Sequence, residues 1–396
     1  MKHFLGRAPI VELFAAAAWL AAPIASADVV TDWNKWAGDL VFATKPVTPV
    51  ANRTMAIVQT AVYEAVKASA DASSDAAVVA ANRAVLTTLV PSQKDAIDRA
   101  YQEALSSIPE GAARDSGIAI GEKAAARVLE RRADDGAATP ESYRPLTTPG
   151  KYVPTTMPVA PQWPQRKPWM LTSPSQFRPG PPPALDSESW ARDYNEVKSL
   201  GAKQNSIRTA EQTEIARFWE ATFPSIYYGI VRSVAEQQGR DVKRNARLYA
   251  TVAQAMDDAV IAVLDAKYYY NFWRPITAIR NGDNDGNDAT ERDASWSPFI
   301  ETPMHPEYPC AHCILAATVG TILQTDIGHG PMVTLTTTSY TVNGGARQWK
   351  STEDFIQEVA VARIYDGVHY RNSAEVGIAM GRQIGALAAM MHIGPP

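Results

Sequence analysis

Along most of this chain apolar residues recur at spacings of three and four, the period of a helix packed on one side. Met55, Val58, Val62 and Ala65 form one such stripe. Leu248, Val252, Ala255, Met256, Ala259 and Val263 form a second, in a long helix predicted over 241–272. Leu315, Val319 and Ile322 make a third, and Ile356 and Val359 a fourth, within a helix over 352–365. The same pattern predicts helices over 92–106, 112–133, much of 187–221 and 373–391. Residues 281–287 read as a Gly/Asn/Asp loop. Residues 333–342, rich in Thr and β-branched side chains, precede Asn343-Gly344-Gly345 and are compatible with a small β-hairpin. No internal repeat is visible. The class is all-α, a helical bundle.

Composition divides this pattern into parts. Between 140 and 183 stand 13 of the 28 prolines, with Trp163 and Trp169 among them. Proline cannot sit inside helices or central strands, so 140–184 is an extended connection between helices in 28–139 and helices in 185–396. The tryptophans suggest packing onto one domain, with a flexible linker as the alternative. Ahead of this, 1–27 reads as a secretory signal: Lys2 and Arg7, an apolar run over 13–22, then Ala25-Ser26-Ala27 before Asp28. That run is too short to span a bilayer, and no later segment is apolar enough, so a soluble secreted or periplasmic protein is expected. The net charge is −4, without a basic run, which argues against nucleic acid as a partner.

Against this background several polar residues stand where the pattern calls for apolar ones. Lys267 continues the stripe of Val263, Arg274 follows two turns on, and Pro275 is expected to end the helix. His312 opens the third stripe, behind Pro309, with Cys310 and Ala311 in the first turn, where free N–H groups and the helix dipole favour an anion. Arg363 ends the fourth stripe. His369 follows Gly367 in a tight turn aimed back at Arg363, with Asn372 or Ser373 capping the last helix and Glu375 completing a capping box. Singly, the cations could snorkel to water and His312 could be structural. Together, three cations and two histidines directed inward require a buried anion, because unpaired buried charge is too costly to keep. Cys310 and Cys313 could pair locally or stay as two thiols; a redox C-x-x-C would need the strand pattern of a thioredoxin-like unit, which is missing.

The order Lys267-x6-Arg274-Pro275, Pro309-Cys310-Ala311-His312, Ala362-Arg363-x5-His369-x3-Ser373 resembles the superfamily of vanadium-dependent haloperoxidases and type-2 phosphatidic acid phosphatases, on its soluble haloperoxidase-like branch. The resemblance implies vanadate as cofactor, with phosphate a competing occupant. His369 would bind the metal, or attack phosphorus in a phosphatase. Lys267, Arg274, Arg363 and the Ala311 N–H would hold oxygens, with Lys267 also polarising peroxide and His312 as acid–base residue. His305 resembles the histidine of bromide-type enzymes. Hydrogen peroxide, a halide (bromide foremost) and a small organic acceptor would be the reactants. A soluble acid phosphatase working through phosphohistidine is the alternative, and a non-catalytic phosphate-binding helical protein a further one. Cys310 and Ala311 depart from the family's Ser and Gly, and Ser373 from the aspartate that orients the nucleophile of phosphatases. A Cys310–Cys313 disulfide would keep a thiol away from peroxide.

Overall fold

A computed structural model describes residues 28–331 and 333–393; the expected signal segment lies outside the described residues. The helices are α1 (Val29–Ala43), α2 (Thr48–Ala68), α3 (Ser74–Leu89), α4 (Lys94–Ser106), α5 (Ala112–Arg132), α6 (Glu188–Leu200), α7 (Ala210–Trp219), α8 (Pro224–Ala235), α9 (Val242–Tyr270), α10 (Pro275–Arg280), α11 (Ala311–Ile327), α12 (Thr352–Tyr365) and α13 (Arg371–His392). One antiparallel hairpin, β1 (Leu335–Ser339) and β2 (Gly345–Trp349), pairs Leu335 with Trp349 and packs on α8.

The long helix α9 is the axis of the bundle. The Asp241 carboxylate accepts the Arg244 N–H at 2.7 Å at its start, and Asn271, left-handed at φ 52°, closes it. From Leu248 to Lys267 every residue is buried, because α2, α11 and α13 pack around it. Helix α13 lies close against α11 through Gly377, Gly381 and Gly385, one per turn. A Cβ at Gly381 would stand 2.4 Å from the Ile314 carbonyl oxygen, so any side chain there pushes the helices apart.

The proline-rich stretch runs along α9, held by three of that helix's aspartates. Arg166 is buried between Asp257 (2.7 Å) and Asp135 (2.8 Å). Asp258 accepts the N–H groups of Trp169, Met170 and Leu171 at 2.7–3.0 Å, and Arg178 forks onto Asp265. Val159 donates its N–H to the Met304 carbonyl and accepts the Tyr268 hydroxyl, joining this stretch to the loop before α11.

Three details differ from the periodicity. Helices α1, α3 and α8 have no expected counterpart; α3 buries Ala76 through Asn82 without a break, and a helix covered on most sides loses its amphipathic signature. Helix α9 stops at Tyr270, so Pro275 opens α10 and Arg274 is that helix's N-cap. Neither Asn372 nor Ser373 caps α13. It starts at Arg371, and the Asp193 carboxylate of α6 takes the Asn372 N–H at 2.7 Å, a tertiary cap invisible to local pattern.

Candidate active site

Three ends of elements meet beside α9: its last turn, the N-terminus of α11 and the α12–α13 turn. Gly367, at φ 77°, forms that turn, and a Cβ on it would lie 2.3 Å from the Gly201 carbonyl oxygen. Only glycine fits so close an approach in this conformation. His369 follows, its N–H bonded to the Arg363 carbonyl at 3.2 Å.

The His369 ring is held at both nitrogens. Nδ1 lies 2.6 Å from Glu307 Oε1, and the same oxygen accepts the Tyr370 N–H at 3.1 Å. The Arg274 guanidinium can only donate, so Nε2 is the acceptor of that contact and Nδ1 of the neutral ring carries the proton toward Oε1. Nε2 is left with its lone pair, 3.2 Å from Arg274 Nη1. Burial, reinforced by Arg274, Lys267 and Arg363, holds the imidazole well below its ordinary pKa, so the ring is neutral. Ser373 Oγ is a distant 3.4 Å from Nδ1.

The cations are fixed by carbonyls. Lys267 Nζ donates to Pro306 O (3.0 Å) and Glu307 O (2.7 Å). Arg274 donates to His305 O and Val368 O and meets His305 Nδ1 at 3.0 Å. Arg363 donates to Trp219 O and pairs with Asp366 at 2.6 Å, and its Nε has no partner among the described residues. Burial, with Arg274 adding to it, drives the Lys267 ammonium well below its ordinary pKa; burial lowers Arg274 to about 10. Burial likewise pushes Glu307 and Asp366 up to about 7, against the nearby cations.

His312 is buried with neutral character for the same reason: burial first, then Arg363, Lys267 and Arg274. The Ala221 backbone bonds its ring, and Nε2 has no partner among the described residues. His305, Ala311, His312, Arg363 and His369 line one cavity of 460 Å³. Arg274 lines a second cavity, of 790 Å³, that shares the 300–304 segment with the first. Lys267 is fully buried and is not among the residues lining either cavity. Cys310 lines neither cavity. It is bonded to Cys313, and its sulfur accepts the Cys313 N–H at 3.2 Å, so no thiol faces the site.

Two functional candidates escaped the sequence reading. Asp366, three residues after Arg363, was detectable by helical spacing. Glu307 sits in an irregular Pro-rich loop 62 residues from its histidine, and no periodic signal marks it.

Comparison with known proteins bears on the fold that carries this site. A family description, the VCPO second helical-bundle domain, matches residues 247–393. The fold is similar to that of a bacterial vanadium-dependent iodoperoxidase, at 25% identity and TM-score 0.78, covering 91% of this chain and 95% of that one. The sequence match over 247–393 and the shared fold together support a place in the vanadium haloperoxidase/acid phosphatase superfamily. A bacterial vanadium-dependent chloroperoxidase shares the fold in its holo form (18% identity) and apo form (19%), each with TM-score 0.72 over 88% of this chain. These cover 93% and 94% of the chloroperoxidase chains. No curated protein matches. Among the described residues no helix is long and apolar enough to cross a membrane.

Proposed function

We propose that the protein is a vanadium-dependent haloperoxidase that oxidises halide, bromide foremost, with hydrogen peroxide. The observation that carries this reading is the His369 lone pair: with the proton on Nδ1 facing Glu307, the Nε2 lone pair faces Arg274 and could coordinate or attack an oxyanion drawn in by that guanidinium. The surroundings suit a tetrahedral oxyanion. Among the described residues the carboxylates set against Lys267, Arg274 and Arg363 are Glu307 and Asp366, and Arg363 Nε and His312 Nε2 have no partner. The cost of that surplus shows in the depressed Lys267 and Arg274, which an anion would restore.

In this reading His369 Nε2 would hold the metal, and Lys267, Arg274, Arg363 and the Ala311 N–H would hold its oxygens. Bound vanadate supplies a Lewis acid that activates peroxide toward halide. His312, neutral, accepts the incoming peroxide's proton at Nε2 and returns a proton to the leaving oxygen. Lys267 stabilises charge developing on oxygen. His305, bonded to Arg274, stands where a halide would approach. The signal-like segment and the disulfide support action outside the cytoplasm.

Glu307 also keeps a second reading alive. It supplies the carboxylate that Ser373 lacks, so phosphohistidine chemistry retains its orienting group. The two readings give opposite assays. Bromination of a phenol dye should require vanadate, peroxide and bromide, with iodide run in parallel; p-nitrophenyl phosphate should remain uncleaved by vanadate-free protein. Phosphate ester cleavage without halide oxidation would overturn the proposal.

A further inference from the structure

A second cleft lies between α1, α8 and the outer edge of β1. It encloses 390 Å³, and none of the candidate active-site residues lines it; it meets the histidine cavity only at Tyr340, which lines both. That size falls within the about 300–1,000 Å³ of small-molecule sites. Asn34 of α1 stands in its wall at 1% exposure. Neither the nitrogen nor the oxygen of its carboxamide has a hydrogen-bond partner among the described residues. A buried carboxamide left idle costs stability, so this one calls for an occupant that both accepts and donates.

The strand across the cleft repeats that demand. In an antiparallel pair, alternate residues turn their N–H and C=O away from the partner strand. Thr336 does so: its N–H donates to Ser233 Oγ at 2.9 Å, and its carbonyl accepts that hydroxyl at 3.1 Å. Thr338, two residues on and opposite Ala346, presents its N–H and C=O on the same edge, with no partner for them among the described residues. It lines the cleft. Charges in the lining stand in opposite pairs, Lys35 2.8 Å from Asp39 and Arg232 4.0 Å from Glu236.

We propose that this cleft binds a short, uncharged peptide in extended form, laid along β1 as an added strand. One peptide unit pairs with the Thr338 N–H and C=O, and another meets both ends of the Asn34 carboxamide. Only a ligand that carries donors and acceptors in alternation satisfies both residues. A carboxylate would leave the two carbonyls unmet, and an ammonium group would leave the two N–H donors unmet. Either ion would also lose hydration in a lining whose own charges are already opposed. The proposal does not depend on the halide-oxidation reading.

Calorimetric titration of the full chain with acetyl-Val-Thr-Val-amide tests it, since β-branched residues favour the extended form. One saturable site per chain is expected. The analogue N-methylated at every residue loses its backbone donors and should bind at least about tenfold more weakly. Asn34→Leu should weaken the peptide by a similar factor without lowering the melting temperature, because it removes an unpartnered buried amide. Gly38→Leu is the second variant, should the first fold poorly. It fills the cleft from α1, where a Cβ meets only the Ser225 side chain, at 3.8 Å. Absent saturation, equal affinity for the N-methylated analogue, or wild-type affinity in the folded variants overturns the proposal. So does self-association of the chain that Gly38→Leu abolishes while the peptide fails to bind, which would make a second copy the occupant.

Discussion

Glu307 Oε1 and His369 Nδ1 lie 2.6 Å apart, both side chains wholly inside the protein. The carboxylate is therefore the group that orients the ring, a task the position of Ser373 would suggest for a residue on α13. Glu307→Gln keeps an acceptor but removes the charge. It should weaken vanadate binding roughly tenfold to a hundredfold, the usual cost of losing such an outer partner. Ser373→Ala should change it less than threefold. Equilibrium dialysis on both variants checks the order, and the reverse order refutes it.

The two imidazoles have separable tasks. His369→Ala should abolish vanadate binding and turnover together. His312→Ala should leave vanadate bound and cut turnover by roughly a hundredfold or more. Vanadium content and initial rates, measured on the same preparations, distinguish them; equal retention of activity would refute the assignment.

Helix α11, which opens with His312, packs closely on α13, which follows His369. Gly381→Ala places a methyl 2.4 Å from the Ile314 carbonyl oxygen. A loss on the order of 1–3 kcal/mol of unfolding free energy is expected, as for other overpacked sites. Gly180→Ala, where nothing lies within 4 Å, should leave thermal stability unchanged and serves as the control. Equal melting temperatures for the two variants would show that α11 and α13 have slack.

Burial, only partly offset by three backbone N–H donors, pushes the Asp258 carboxyl up from 3.8 to about 6. The folded protein thus holds this proton more tightly than the unfolded chain. The resulting stability is fully present below 3.8 and is lost as pH rises through about 6. Asp258→Asn removes this dependence. Its stability deficit should be larger at pH 3.8 than at pH 7, by on the order of 2 kcal/mol. Urea unfolding at both pH values measures it; a deficit independent of pH would mean that Asp258 ionises normally.

What the sequence disclosed, and what it hid, follows from the range of each interaction. Lys267, His312 and Arg363 each continue or begin an apolar stripe, so their misfit is visible within one helix. The all-α class follows from the same periodicity. Helix α3 was hidden because Ala76–Asn82 are buried on all sides and carry no alternation. The α13 cap was hidden because Asp193 supplies it from another helix. Glu307 was hidden for a related reason: it lies in a loop between prolines, and only the fold brings it to His369.

Val159, bonded through its backbone to Met304 and Tyr268, makes the proline-rich stretch part of the enclosure around the histidines. A segment that carries none of the site's charged or imidazole groups thereby acts as a template for whatever enters. Grafting this stretch from one relative onto another should retune the choice of guest while the ion's ligands remain as they are.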